Sequence, residues 1–589
     1  MAGLYLRWTC ISQAGKKRTW KSGCQSSNRE ESRARLFWPQ VLQFARVKLL
    51  AKLNSRPRQI HSSLNINVQQ TRPSALQASI RESPLSPPIQ RLTSATMASQ
   101  TLSSSMQPTD VYGGGKHPFP SPSIHLASRL TANVNTPPFI DEVSAIILDP
   151  GYSSVRAGFA GEDTPKSFVN SHYGVPSSGG YVFGDDTIHN PLAYLELHNP
   201  MSKEGVVEDW DVATKLWEYA ITSRLTSFKQ SDPRTNGLND DVKNEEMDID
   251  AVEDGEKPLE EHPLLLTETA WNSPKSREKS IEVAMESWGC PAFWLARNSV
   301  LAGFGAGKAT ALVVDVGAST TSVICIHDGL ILKKSVYKSP LAGNWLSSQL
   351  RSLFNSSDPK VDLVPHFMIA AKTPVDAGAP AQATYRKFDR KPTESFRALE
   401  EERVLTEFKE SVVQVWTGPG RLASGTAAGA ANMDFVRQQP GRVFEMPDGA
   451  NQMWGVERFN VAEGMWDASA ALPVPNEPAP SKAQTIPEMV RASIAAVDVD
   501  LRPHLLQNIV VTGGSTLVNG FTDRLHNELT AMYPGLRIKI QAAGLTAERR
   551  FGSWIGGSIL GSLGTFHQMW VSRKEYDEFG ASIVEKRCK

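Results

Sequence analysis

Apolar and polar positions along this chain fall into strand-like, helix-like and featureless stretches, and the strand-like ones carry the most information. Ile146 to Gly161 reads IILDPGYSSVRAGFAG. Three apolar residues end in Asp149, a Pro150-Gly151-Tyr152-Ser153 turn follows, and apolar alternation resumes at Val155, Ala157 and Phe159. The pattern predicts strand, tight turn, strand. A turn of small residues presents successive backbone N–H groups outward, a nest suited to phosphate oxygens, and Gly151 allows close approach. Asp149 at the strand end suits a Mg²⁺ held through water. Ala311 to Gly329, ALVVDVGASTTSVICIHDG, repeats the design around Asp315 and a turn from Gly317 to Thr320. Two such hairpins roughly 165 residues apart suggest two similar half-molecules with a nucleotide gripped between them. Two unrelated hairpins in an α/β protein is the alternative reading.

Helical spacing marks Lys203 to Phe228 as a turn and then a helix, with Trp210, Val212, Leu216, Trp217 and Ala220 on one face. Further helices are predicted over Ser276–Ser287, Pro291–Phe304, Leu341–Phe354, Glu400–Trp416 and Ile486–Val497. His262 to Leu266 and Asn508 to Val511 read as buried strands. The second runs into a Gly513-Gly514-Ser515-Thr516 turn and a helix from Phe521, and that turn offers close backbone approach to a flat ligand or a phosphate.

The featureless stretches set the boundaries. Residues 1–96 hold sixteen Lys and Arg against three Asp and Glu, with little periodicity. They read as a transit peptide, as a basic arm for nucleic acid, or, as we favour, as translated sequence upstream of a start at Met97 or Met106. Residues 97–139 are a Ser, Pro and Gly-rich linker, so 1–139 is expected to be disordered. Residues 232–261 are rich in Asp and Glu and poor in apolar residues, an acidic insert that is either a solvated loop or an attractor of basic histone tails. Residues 355–395 and 417–441 read as loops.

Net charge is zero and 40% of residues are hydrophobic, which fits a globular chain of two to four domains. Five cysteines without metal or disulfide spacing fit a reducing compartment. No apolar run approaches the ~18 residues of a membrane span.

Longer motifs then carry a resemblance. The segments AGFAGEDTPKS (157–167), HPLLLTET (262–269), FEMPDGANQMWGVERF (444–459), VVTGGSTLVNGF (510–521) and the stretch from Trp554 to Val584 resemble actin, in the right order across most of residues 140–589. PGYSSVRAGFAGEDTPKS and SWGCPAFWLARNSVLAGFGAGKATALVVDVG are most similar to the nuclear actin-related proteins shared by histone acetyltransferase and remodelling complexes.

The resemblance implies an α/β, actin-like two-lobed ATPase fold, with duplicated mixed-sheet domains around a nucleotide cleft. Lobe one would use 140–305 completed by 552–589, and lobe two 306–551. It implies ATP with Mg (or Ca), held by Asp149, Gly151, Tyr152, Ser153 and Arg156 in the first phosphate loop and by Asp315, Gly317, Ala318, Ser319 and Thr320 in the second. Gly343, Lys409, Glu410, Gly513, Gly514, Ser515, Leu517, Arg550 and Phe551 would complete the adenosine side. The metal would meet Asp149 and Asp315 through water.

Departures from actin point away from catalysis. Asn298 stands where actin orients water with a Gln, Ser322 where it has a His, and Ala318 where it has an Asp. Displacing a water by about an ångström can cost a hundredfold, so binding with weak or absent hydrolysis is expected, unless Asn298 works through a bridging water. The segment between Tyr173 and Pro200 is short where actin carries its polymerisation loop, so a monomer is expected. A helix-accepting partner cleft maps to Phe304, Leu330, Leu560, Leu563, Thr565 and Met569. The implied role is a structural subunit of nuclear chromatin complexes that binds conventional actin, a scaffold helix and histones. A filament-forming cytoskeletal ATPase and a sugar-kinase or chaperone-type ATPase are the alternatives.

Overall fold

The computed structural model describes residues 144–226, 257–418, 420–422 and 427–589. The readings made for residues 1–143, and for the acidic insert as far as residue 256, lie outside the described residues.

Two six-stranded mixed sheets are built on one plan. In the first, the hairpin Ile146–Pro150 and Ser154–Phe159 pairs on one side with Ser167–Asn170. On its other side Leu264–Glu268 and then Ala292–Arg297 run parallel to it, and Val571–Ser572 closes the edge. In the second, the hairpin Ala311–Val316 and Thr321–His327 carries Leu330–Ile331 and Tyr337–Ser339 on its outer strand. Ile509–Thr512 and then Ile540–Ala542 run parallel on the inner side. The parallel strands are covered on both faces, so Ile146, Ile147, Leu148, Leu264 and Leu265 are all fully buried.

Each sheet has its own core. Trp217, Trp288, Phe293 and Trp554 fill the first; Phe354, Phe408, Trp454 and Trp466 fill the second. The helices Asn298–Gly305 and Gly552–Gly561 join them at the base, because Ala311, Val313, Ile326 and Val510 of the second sheet belong to the first core. Those two helices touch backbone to backbone. A Cβ on Gly556 would stand 1.9 Å from the Leu301 carbonyl oxygen, so only glycine permits the crossing.

Several expected elements take a different form. Residues 291–304 are a strand, Ala292–Arg297, followed by the helix Asn298–Gly305. A short, wholly apolar run has no periodicity to distinguish a strand buried on both faces from a buried helix. The helix expected over Glu400–Trp416 spans Glu394–Ser411, capped by Thr393, whose hydroxyl accepts the Phe396 N–H at 3.3 Å. Val412 caps the helix, and Val413, Val415 and Trp416 are buried beyond it, where the Val415 N–H donates to the Asn519 carbonyl.

The loop expected at 417–441 contains the helix Ala427–Arg437, and the one at 355–395 contains the hairpin Ile369–Thr373 and Gln382–Tyr385. The helix predicted over Ser276–Ser287 runs from Pro274 to Glu282 and continues as a π turn to Ser287, and that at Lys203–Phe228 spans Trp210–Thr222. Residues 257–261, the end of the acidic insert, are described and packed against the first lobe. Leu259 is fully buried and its N–H donates to the Trp288 carbonyl at 3.0 Å.

Candidate functional site: a cradle between the lobes

Both hairpin turns are built alike. Gly151 N–H donates to the Ser154 carbonyl at 3.0 Å, and Gly317 N–H to the Thr320 carbonyl at 3.0 Å. Behind the first turn the carbonyls of Gly151, Tyr152 and Ser153 are all taken. Gly151 O accepts the Ser171 hydroxyl (2.7 Å), Tyr152 O accepts the Asn199 amide (2.8 Å) and Ser153 O accepts the Ser171 N–H (3.2 Å). Behind the second, Gly317 O accepts the Ser515 hydroxyl (2.8 Å) and the Gly343 N–H (3.1 Å), and Ala318 O accepts the Asn344 N–H (2.6 Å). The last two donors open the helix Gly343–Ser356. With the carbonyls drawn back, the N–H groups of Tyr152, Ser153, Ala318 and Ser319 donate to no group among the described residues. Unpaired backbone donors in successive positions form an anion nest.

The turns open into one cavity of about 610 Å³, within the range for small-molecule sites. It is lined by Asp149, Gly151, Tyr152, Ser153 and Arg156 from one hairpin and by Asp315, Gly317, Ala318, Ser319, Thr320 and Ser322 from the other. Asn298, Gly343, Lys409, Glu410, Gly513, Gly514, Ser515, Leu517 and Arg550 complete the set expected from the sequence. Phe551 is the exception. It turns from the cavity to meet Phe168, ring centroids 5.9 Å apart, and lies 5.7 Å from the Arg156 guanidinium.

Gly513 shows why the Gly-Gly turn is needed. Its φ is +95°, and a Cβ there would stand 2.3 Å from the Val316 carbonyl oxygen and 2.6 Å from the Asp315 carboxylate. The turn therefore packs against the base of the Asp315 strand.

The two carboxylates differ. Asp149 is 6% exposed and fully engaged: Arg156 Nη1 lies 2.7 Å from its Oδ2 and the Thr267 hydroxyl donates to its Oδ1 at 2.5 Å. The Asp315 carboxylate accepts no hydrogen bond from any described residue. Burial, and after it the nearby Asp149 charge, push its carboxyl up to about 6, with Arg156 opposing. A half-enclosed carboxylate without a counter-charge of its own, facing the open N–H groups of two turns, fits a site for a divalent cation with phosphate. Among the described residues no three His, Cys, Asp or Glu side chains converge on a point, so such a cation would keep several waters or phosphate ligands.

Lys409 does not reach freely into the cavity. Its ammonium donates to Glu402 (2.9 Å), the Ser347 hydroxyl (2.7 Å) and the Gly343 carbonyl (3.2 Å), and so braces the helix that holds the second turn. Glu402, which also lines the cavity, was not legible as a site residue; its one signal was its place two helical turns before Lys409. Thr406, Asn344, Thr512 and Thr546 are further lining residues that the motifs did not mark.

Asn298 faces both this cavity and a second one of about 50 Å³ behind Asp149. Its carbonyl oxygen accepts the Ser299 N–H at 2.7 Å. One of the two lone pairs of that side-chain oxygen is thereby used, which turns the amide toward its own backbone and fixes where the remaining acceptor and the amide nitrogen can meet a water.

The expected partner cleft divides. Phe304, Leu560 and Leu563 are 2%, 0% and 4% exposed and belong to the first core, while Leu330 and Met569 are half-buried and Thr565 is exposed. The apolar character of the first three is a packing requirement, so only Leu330, Thr565 and Met569 remain as surface.

Comparison with known proteins agrees with this architecture: the family model described as Actin matches residues 140–589. The chain belongs to the actin family. Among curated relatives of this actin-family chain, one from Gibberella zeae named "Actin-related protein 4" is 57% identical over 84% of this chain and 100% of its own length. One of the same name from Schizosaccharomyces pombe is 36% identical over 76% of this chain and 98% of its own. A second protein from that yeast, named "SWI/SNF and RSC complexes subunit arp42", is 32% identical over 76% of this chain and all of its own. No helix among the described residues is long and apolar enough to cross a membrane.

Proposed function

We propose that this chain is an ATP-binding structural subunit of nuclear chromatin-remodelling and histone acetyltransferase assemblies. The observation that carries the nucleotide half is the pair of clamped turns, whose open N–H groups and uncompensated Asp315 share one cavity. The amides of Tyr152, Ser153, Ala318 and Ser319 would hold the phosphates and Asp315 the hydrated Mg²⁺ or Ca²⁺. Gly513, Gly514, Ser515, Leu517, Glu410 and Arg550 would hold the nucleoside, with Lys409 bracing the wall. Bound ATP supplies a γ-phosphate that can be transferred to water. Here the short side chain of Asn298 is drawn back to the Ser299 N–H, and Ser322 replaces a larger polar group, so a water is poorly positioned, hydrolysis is slow and nucleotide serves as a structural ligand.

The assembly half is supported by the names of the curated relatives, of which this chain covers nearly the whole length. The chain acts as a monomer that binds conventional actin and a helical scaffold segment through the surface around Leu330 and Met569, and the acidic insert attracts basic histone segments with salt-sensitive attraction. Recovery of the tagged protein from nuclear extract, with mass spectrometry of its partners and chromatography of the released nucleotide, tests both halves. Recovery without remodeller or acetyltransferase subunits overturns the assembly reading, and purified folded protein that takes up no ATP overturns the nucleotide reading. Pelleting as filaments in Mg-ATP would favour the cytoskeletal alternative.

A further inference from the structure

Two adjacent arginines beside the Gly513-Gly514 turn are used in opposite ways. Arg549 commits its guanidinium to backbone. Its Nε and Nη2 donate to the Ala543 carbonyl at 2.9 and 2.6 Å, and its Nη1 to the Thr516 carbonyl at 3.4 Å. The Arg549 carbonyl in turn accepts the Gly513 N–H (3.0 Å) and the Thr512 hydroxyl (3.1 Å), which ties the short helix Thr546–Arg550 to that turn. Arg550 is exposed and lines the cavity, and among the described residues its guanidinium is held by aromatic rings alone.

The guanidinium lies 5.6 Å from the centroid of the Phe168 ring and 5.8 Å from that of Phe551, within the ~6 Å reach of a cation–π contact. The two rings are 5.9 Å apart, and Phe551 also meets the Arg156 guanidinium at 5.7 Å. Arg156 is fixed by Asp149 and stands directly across the sheet from Phe168. Rings and cations therefore alternate, Phe168, Arg550, Phe551, Arg156, and the series ends on a buried carboxylate.

Phe168 has no other evident task. It sits on the edge strand Ser167–Asn170, is 43% exposed, belongs to neither main core and does not line the cavity. A guanidinium held through its face keeps its N–H donors, which lie in its plane, for other partners. Fixing an exposed arginine before a ligand arrives also lowers the freedom lost on binding.

We propose that Phe168 is a positioning residue for the nucleoside: packed on Arg550, it holds the guanidinium edge toward the base and ribose. Phe551 does the same from the core side, which is why its own ring turns from the cavity. The proposal rests on the nucleotide reading above.

Calorimetry of the full-length protein with Mg-ATP and with Mg²⁺ tripolyphosphate tests it, since the second ligand has phosphates and no nucleoside. Phe168→Leu should weaken Mg-ATP binding roughly five-fold, the factor carried by about 1 kcal/mol, and leave tripolyphosphate binding unchanged. Phe168→Tyr, which keeps the ring, should bind both like the unaltered protein. In an Arg550→Ala background Phe168→Leu should have no further effect on Mg-ATP, because the contact it removes is already gone. That cycle also isolates the contact if Phe168→Leu lowers the melting temperature. Equal weakening of both ligands, no weakening of either, or full additivity with Arg550→Ala overturns the proposal. Unaltered protein that binds tripolyphosphate as tightly as ATP also overturns it, and leaves the phosphate cradle standing. Unaltered protein that binds neither refutes the nucleotide reading and the role of Phe168 with it.

Discussion

Arg156 stands directly across the first hairpin from Asp149 and closes its carboxylate at 2.7 Å; in the second hairpin the position across from Asp315 is Ser322. The two halves share a plan, but only one of their acids has a counter-charge. The difference leaves Asp315 the acid whose carboxylate has no bonded partner among the described residues.

It also has a cost for the empty protein. The folded-state pKa of Asp315 is raised from 3.8 to about 6, so ionising it works against folding. The penalty is absent below the unfolded value and complete once the pH has risen past the folded one. At roughly 1.4 kcal/mol per pKa unit it amounts to about 3 kcal/mol. Asp315→Asn should therefore raise the stability of nucleotide-free protein at pH 7.5 by up to that amount and leave it unchanged near pH 3.5. It should also abolish the Mg²⁺ dependence of ATP binding. Denaturant titration at the two pH values, with calorimetry of Mg-ATP binding, checks both arms. Unchanged Mg-ATP affinity in the variant sinks the metal assignment.

Gly513→Ala is expected to be severe. Its Cβ would stand within 2.6 Å of the Asp315 carboxylate and closer still to the Val316 carbonyl, in a backbone region costing non-glycine residues on the order of 1–3 kcal/mol. Loss of ATP binding together with a lower melting temperature is the expected outcome. A variant that melts and binds like the parent would mean that the turn is not fixed as described.

Asn298→Gln with Ser322→His tests the reading of slow hydrolysis. The longer amide can cap the Ser299 N–H less readily and regains an acceptor aimed at water. Single-turnover phosphate release should rise by roughly ten-fold or more, with affinity for ATP unchanged, since small improvements in water placement carry factors of that size. No gain in rate with binding intact would place the cause of slow turnover elsewhere.

Leu563→Asp is expected to unfold the first core. Leu563 is 4% exposed, and an unpaired charge there costs several kcal/mol, on the order of 3–5 for a broken buried pair. Met569→Asp is the informative substitution, because Met569 is half-buried at the surface. Met569 packs against the edge of the first core, so the change should cost less stability than Leu563→Asp, leave the protein folded and reduce co-purification with remodeller subunits. Undiminished co-purification would remove that surface from the docking site.

Much of this was legible in the sequence where local rules act alone. Asp-x-Gly between alternating apolar residues specifies a hairpin, and both hairpins form as read, with Gly151 and Gly317 closing them. The lining residues carried over by family resemblance reach the cavity with the exception of Phe551, whose ring found aromatic partners instead. Failures occurred where burial on all sides erases periodicity. Phe293, Trp294 and Leu295 fit a buried strand and a buried helix equally, and only their partners in the sheet decide. The apolar cleft residues were ambiguous for the same reason, since Leu560 and Leu563 are apolar whether they face a partner or a core, and both are buried in the first core. The contact of His189 with Glu400 could not be read at all, because the two lie 211 residues apart and neither is part of a motif.

The clamps behind the two turns have one more consequence. Ser171 and Asn199 belong to the chain that holds the first turn, and Ser515, Gly343 and Asn344 to the chain that holds the second. A direct bond between the two sides nearby is that from the Thr320 hydroxyl to the Lys203 carbonyl, 2.8 Å. The site is thus two prefabricated half-sites whose principal shared coordinate is the gap between them. Damage to one leaves the other's shape intact, and anything that sets the gap, whether bound inside the molecule or gripping it from outside, reaches both at once without bending either.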